Sequence, residues 1–233
     1  MIIVSKSKKI CERIPEGEAI LDQIDFTTEE YSEACRKMEG EYRRLINFIF
    51  KKLDIKENSK ILEIGPGPGW IGIMMAKQDP SLTIIGIELS KDMMRVANKN
   101  IRKEGIDDRI SYIHGNAENM YQFLDNTFDV VFGNGTLHHW ENPVKIINEI
   151  FRVLKPNGIF CISDGRRDIG LGAKVIFHTV KWFIPKFMRI GWKTSINAGY
   201  TPEELTEILD QSDLKGKYEL KADLFDLLVY NKT

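Results

Sequence analysis

The sequence predicts an α/β protein built on a mostly parallel sheet with helices on both faces. Three observations carry that expectation. Short apolar runs alternate with helix-length amphipathic stretches from Lys60 to Ser163, the rhythm of βαβ units. The first run breaks into three glycines, Gly65, Gly67 and Gly69, directly before an apolar stretch able to form a helix. The chain closes with two strand patterns, 218–222 and 225–230, joined too tightly for a helix, so they should pair antiparallel.

The elements follow in order. Residues 1–30 are polar with scattered apolar positions and predict no clear element. From about 28 to 53 a helical stripe appears, with Tyr42, Leu45, Ile46, Ile49 and Phe50 at three- and four-residue spacing. Buried strands are expected at 60–64, 82–87, 110–114, 128–132 and 159–163. Helices are expected between them at 71–77, 92–104, 143–154 and, as a short one, around 118–124. Gly105 closes the second of these, and Pro156-Asn157-Gly158 stops the one before the fifth strand. Thr201-Pro202-Glu203-Glu204 then reads as a capping box with proline just inside it.

Composition sets the class. A chain of 233 residues suits one domain with at most a small subdomain. A formal net charge of −1 gives no global argument for nucleic acid, and no apolar run reaches the length of a membrane span. The first residues lack the order of a signal peptide, and Cys11, Cys35 and Cys161 are too scattered for a disulfide framework. A soluble cytoplasmic protein with reduced thiols and no metal set is expected.

The chemistry starts at the glycines. Glycine lets a backbone approach a ligand closely, and a helix start offers unpaired N–H groups. Gly67-Pro68-Gly69-Trp70-Ile71-Gly72 formally fits the dinucleotide pattern G-x-G-x-x-G. In that pattern the strand runs straight into the first glycine. Here Gly65 holds that place, which leaves Trp70 where the third glycine belongs. Glu88 ends the second strand, 23 residues after Gly65, where a carboxylate can accept from both hydroxyls of a ribose.

At this point the chain resembles the class I S-adenosylmethionine (SAM)-dependent methyltransferases. Leu62-Glu63-Ile64-Gly65-Pro66-Gly67-Pro68-Gly69 is similar to that family's first motif. Gly86-Ile87-Glu88-Leu89-Ser90 resembles the second, with Met93 expected against the adenine. His114-Gly115-Asn116-Ala117-Glu118 resembles the third, with Asn116 where the family commonly has Asp. The run from Phe128 through Asn134 and Gly135 to His138-His139-Trp140 resembles the fourth motif and its acceptor loop, and 151–160 the helix–turn–strand that follows. The likeness is nearest to the branch that includes quinone-biosynthesis enzymes. It implies a Rossmann-like sheet of seven strands with the last antiparallel, SAM as cofactor and a small-molecule acceptor. It also implies cofactor contacts from Glu63, Gly65, Pro66, Gly67, Gly69, Glu88, Leu89, Ser90, Met93, Asn116, Ala117, Glu118, Asn134 and Gly135.

The acceptor side is less defined. Methyl transfer from a sulfonium needs alignment and exclusion of water, and a base only when the acceptor atom carries a proton. His138 and His139 stand at the edge of the fourth strand and are the candidate bases; shaping the loop is their plain alternative. Trp140 is expected to pack rather than stack on substrate. Between 165 and 193, seven basic residues face the single acid Asp168 and are interleaved with aromatics. That segment reads as a lid over an anionic or apolar acceptor. Membrane contact through 174–192 and nucleic-acid contact are the less favoured readings, since Pro185 would kink a surface helix. Tyr31 and Arg36, ahead of the core, are candidates to reach the cofactor's methionine part.

Four segments result: an N-terminal cover at 1–55, a cofactor-binding core at 56–164, the lid at 165–200, and a helix with the closing hairpin at 201–233. The function expected is methyl transfer from SAM to a small molecule. A SAM-binding regulatory protein without catalysis and a nicotinamide oxidoreductase are the alternatives.

Overall fold

The computed structural model describes residues 13–14, 27–180 and 186–231. Five strands run parallel: β1 Lys60–Ile64, β2 Thr83–Glu88, β3 Ile110–His114, β4 Phe128–Asn134 and β5 Leu154–Gly165. The hairpin of β6 Tyr218–Ala222 and β7 Asp226–Asn231 completes the sheet, β7 lying antiparallel between β5 and β6. The strand order is β3-β2-β1-β4-β5-β7-β6. The chain therefore winds outward from β1 and then crosses back to β4 on β1's other side. The carboxyl ends of β1 and β4 meet at that reversal, the place where ligands bind in open α/β sheets.

Both faces are buried, which explains strands that are apolar at nearly every position. Leu62, Ile64, Val131, Phe160 and Ile162 pack on one side against α5 Pro143–Val153 and α8 Pro202–Asp210. Ile61, Ile84, Val130, Phe132 and Cys161 face the other side. There they meet α2 Glu39–Asn47, α3 Trp70–Gln78 and α4 Lys91–Lys103. Successive residues of one strand thus feed two separate cores. The α1 helix, Thr28–Arg36, starts at a capping box in which Thr27 and Glu30 satisfy each other's backbone N–H. α8 starts the same way, on Thr201 and Glu204.

Three expectations change. The stripe 28–53 is two helices, α1 and α2, broken at Lys37–Met38 and ended by a π-turn at Phe48–Lys52. No helix forms at 118–124. Asn116 there folds an Asx turn onto the Glu118 N–H, and Arg152 takes the carbonyls of Met120 and Phe123. These carbonyls are tied to α5 rather than to a local helix. Strand five begins early, at Leu154. Asn157, at φ +64°, loops out with Pro156 and Gly158 while pairing resumes at Ile159. The lid region is helical where described, as α6 Leu171–Val180 and α7 Lys186–Ala198; residues 181–185, Pro185 among them, fall outside the described residues, as does Cys11. Cys35 and Cys161 are buried free thiols. Among the described residues no helix is long and apolar enough to cross a membrane.

Candidate active site

The glycine turn leaves β1 with three consecutive odd positions at positive φ: Gly65 at +60°, Gly67 at +53° and Gly69 at +81°. Pro66, Pro68 and Gly69 are buried, so Gly65 and Gly67 form the turn's outer surface. A Cβ on Gly67 would meet nothing within 4 Å, and the same holds for Gly135 at the end of β4, at φ +62°. Open space above two left-handed glycines is a cradle that side chains would fill. A Cβ on Gly65 would instead strike the Thr136 side chain, because the loop after β4 rests directly on the turn.

Glu88 closes the turn from the β2 side. One oxygen accepts from the Gly67 N–H at 2.9 Å and the other from the Ser90 N–H at 2.8 Å. A carboxylate has about four acceptor positions, so roughly two remain for a ligand. Burial raises its pKa, against the pull of those backbone donors. Leu89 beside it is 64% exposed, an apolar side chain left open at the mouth. Ser90 caps α4 through the Met93 N–H, which holds Met93 half-buried on the same rim.

The other predicted contacts are distributed unevenly. Asn116 is exposed at the end of β3, its carbonyl oxygen held by the Glu118 N–H at 2.8 Å. The Glu118 carboxylate turns to α5, accepting from the Asn142 N–H and pairing with Lys145. Ala117 and Asn134 are half-buried. Glu63 points under the turn and is 2% exposed. Tyr31 is half-buried on α1, and Arg36 pairs with Glu33 on the surface. α1 itself docks on the turn. Trp70 donates to the Ser32 carbonyl, and Asn100 bridges the Ser32 hydroxyl and the Pro68 carbonyl at 3.0 and 2.8 Å.

On the β4–β5 side, His138 is 5% exposed and lies against Asp164. Its ring Nδ1 is 2.8 Å from one carboxylate oxygen, and its backbone N–H donates to the other at 2.8 Å. Nδ1–H donating to Asp164 makes Nε2 the basic nitrogen, the arrangement that suits a proton acceptor. His139 is exposed, its ring tilted at 42° against that of His138 with the centroids 4.0 Å apart. Trp140 is buried among core residues, its indole N–H on the Thr136 hydroxyl. Arg13 ties the rear of this loop. Its guanidinium donates to the carbonyls of His138 and Ala198, at 2.9 and 2.7 Å, and lies 4.3 Å above the Tyr200 ring.

Sequence reasoning did not single out Asp164, Tyr112, Asn100 or Arg13. Asp164 had a signal, an acid ending a buried strand as Glu88 does. The others announce themselves only through contacts distant in sequence.

A cradle at the sheet's reversal point, an acid on the neighbouring strand and a polar loop after β4 define a methyltransferase-type domain. The chain belongs to the methyltransferase domain family, whose profile matches residues 55–212. The likeness to class I SAM-dependent methyltransferases is thereby borne out. Demethylmenaquinone methyltransferase of Lactobacillus johnsonii is 34% identical over 61% of this chain and 58% of its own length. The ubiquinone/menaquinone biosynthesis C-methyltransferase of Blochmanniella floridana is 27% identical over 83% and 76%. A candidate SAM-dependent methyltransferase of known structure from Methanococcus maripaludis superposes with a TM-score of 0.71 at 23% identity. That match covers 88% of this chain and 91% of that one, and the likeness is one of fold. The chain spans about half the length, or less, of many of the curated relatives it matches.

Proposed function

We propose that this protein is a SAM-dependent methyltransferase acting on a small-molecule acceptor by in-line displacement. The observation that carries the reading is the open cradle over Gly67 and Gly135 between Glu88 on one side and His138–Asp164 on the other. When bound, SAM supplies a methyl group already activated by its sulfonium. The residues present fit it. Gly65, Pro66, Gly67 and Gly69 let the ligand lie against backbone, and the remaining acceptor positions of Glu88 suit ribose hydroxyls. Leu89 and Met93 offer an apolar slot for adenine. With its carbonyl oxygen engaged by Glu118, Asn116 offers its amide N–H to the adenine edge; Ala117 packs there, and Glu118 holds that loop to α5. Asn134 and Gly135 border the methyl end. Tyr31 and the α1 segment cover the cofactor through the Ser32–Trp70–Asn100 contacts.

His138, oriented by Asp164, takes the acceptor's proton on Nε2, and His139 lines the same edge. The lid segment 165–200 supplies the acceptor's surroundings. Residues 169–202 contain no acid, and α6 leaves Leu171 and Val175 78% and 64% exposed, which favours an apolar acceptor with an anionic part. The buried free thiols of Cys35 and Cys161 suit a cytoplasmic setting. The test is calorimetry with SAM, S-adenosylhomocysteine (SAH) and NAD, followed by methyl-transfer assays on quinol-like, sterol-like and carboxylate acceptors. Binding of both sulfur nucleosides and turnover of one acceptor class are expected. Binding of NAD alone would overturn the reading.

A further inference from the structure

Beneath the glycine turn lies a buried group that nothing above employs. Tyr112 stands on β3, 4% exposed, with its ring in a slot walled by three glycines from three elements. A Cβ on Gly69, the residue before α3, would come within 2.5 Å of its ring. A Cβ on Gly72 of α3 or on Gly86 of β2 would also fall well inside 3.0 Å of Tyr112. Each of these positions has room for nothing larger than hydrogen, so three backbone sites are shaped around one side chain.

The hydroxyl ends between two oxygens. It lies 3.1 Å from the Gly69 carbonyl and 3.1 Å from a carboxyl oxygen of Glu63. The Glu63 carboxyl also lies against the first turn of α3, since a Cβ on Gly72 would come within 2.5 Å of it. Gly69, at the N-cap of α3, has no side chain with which to cap it.

Hydrogen counting then links the three groups. A phenol has one hydrogen. If Glu63 is neutral, its own O–H donates to the Tyr112 oxygen, and the Tyr112 hydrogen goes to the Gly69 carbonyl. If Glu63 is ionised, that single hydrogen turns to the carboxylate. The Gly69 carbonyl then keeps only the Ile73 N–H of the helix. Tyr112 of β3 touches the Glu63 carboxyl directly, and the titratable groups that act on this buried cluster are Glu88 of β2, Tyr42 of α2, and Tyr31 and Cys35 of α1. None is a cation, and burial holds the Glu63 carboxyl neutral up to about 8.

We propose that Tyr112 is a positioning residue that props the glycine turn from beneath, with the Glu63 carboxyl deciding which oxygen its hydrogen serves. This rests on the reading of the turn as the SAM cradle and assigns Glu63 to its support rather than to ligand contact. The prop fixes the Gly69 carbonyl and the first turn of α3, and hence the outward faces of Gly65 and Gly67.

Tyr112→Phe tests it, because phenylalanine keeps the ring in its slot and removes only the hydroxyl. SAH affinity by calorimetry should fall roughly tenfold at pH 7, the cost of leaving buried partners unmatched. Wild-type affinity should be level to about pH 7 and decline above about 8; the variant should be flat. Glu63→Gln, neutral at every pH, should keep at pH 9 the affinity that the wild type shows at pH 7. Amide hydrogen exchange over 67–72 in the ligand-free protein should quicken roughly tenfold in Tyr112→Phe. Wild-type affinity and pH profile in Tyr112→Phe, together with unchanged exchange, would overturn the prop. A wild type that binds no SAH at any pH would remove the cofactor reading alone and leave the exchange comparison to decide the prop.

Discussion

The two sides of the cleft are held by different means. On the β1–β2 side the backbone does most of the work: the Gly67 N–H is bound by Glu88, Gly65 N–H by the Ile87 carbonyl, and three glycines take left-handed turns within five residues. On the β4–β5 side the geometry comes from side chains far apart in the chain, with Arg13, His138, Asp164, Ala198 and Tyr200 meeting in one place. The first side is fixed by which residues may occupy a turn. The second is fixed by which partners find each other. A ligand common to many enzymes suits the first construction, and an acceptor particular to one enzyme suits the second.

Substitutions should separate the two sides. Gly67→Val places a branched side chain where open space now stands, at a φ that such residues resist. SAH binding by calorimetry should vanish while the circular dichroism spectrum stays native; retained affinity would refute the cradle. Gly86→Ala is the contrasting change, since its added carbon meets the buried Tyr112 ring, and it should cost the fold itself.

His138→Ala acts on the other side. Turnover should fall by roughly 10²–10⁴-fold with SAH affinity unchanged. Asp164→Asn should fall by a comparable amount, and the double variant by little more, because the two residues act as one unit. An unchanged rate in His138→Ala would mean the acceptor needs no base. Glu88→Ala returns to the cofactor side and should weaken SAH binding by roughly 100-fold, as charge-assisted bonds to the ribose are lost.

Much of the first side was readable before any coordinates. Strand ends and glycine positions are local, so β1 ends just before Gly65 and β2 ends at Glu88, as the pattern expected. The sheet's antiparallel closure was readable too, since 218–230 leaves no room for a crossover. The missing helix at 118–124 was not, because the carbonyls of Met120 and Phe123 are claimed by Arg152, about thirty residues away. Tyr112 has no signature at all in a strand of alternating pattern. Its slot is written in the absence of side chains at Gly69, Gly72 and Gly86, glycines that the motifs already explained.

Glu63 gives a pH-dependent effect on stability. Its folded pKa of about 8 lies above the ordinary 4.5, so the native state holds the proton more tightly than the unfolded chain. The stability this contributes is fully present below about 4.5 and is lost as pH rises toward about 8. Melting temperatures of wild type and Glu63→Gln should therefore agree near pH 4 and diverge by pH 9, with the variant the more stable. Parallel curves would show that Glu63 titrates alike in both states.

The mildest change bears most directly on how the acceptor side is assembled. Arg13, itself half-buried, gives up two bonds from a charged donor and a contact with the Tyr200 ring, so Arg13→Ala should cost about 1–2 kcal/mol. In a chain of this size that is about 2–8 °C in melting temperature. Because one of those bonds holds the His138 carbonyl, kcat should drop several-fold while SAH affinity stays put. Arg13→Lys should recover little, since an ammonium lacks the planar fork that spans two carbonyls and lies flat on Tyr200. Equal losses in kcat and SAH affinity would instead join the N-terminal segment to the cofactor turn, and the division between a backbone-held side and a side-chain-held side would have to be redrawn.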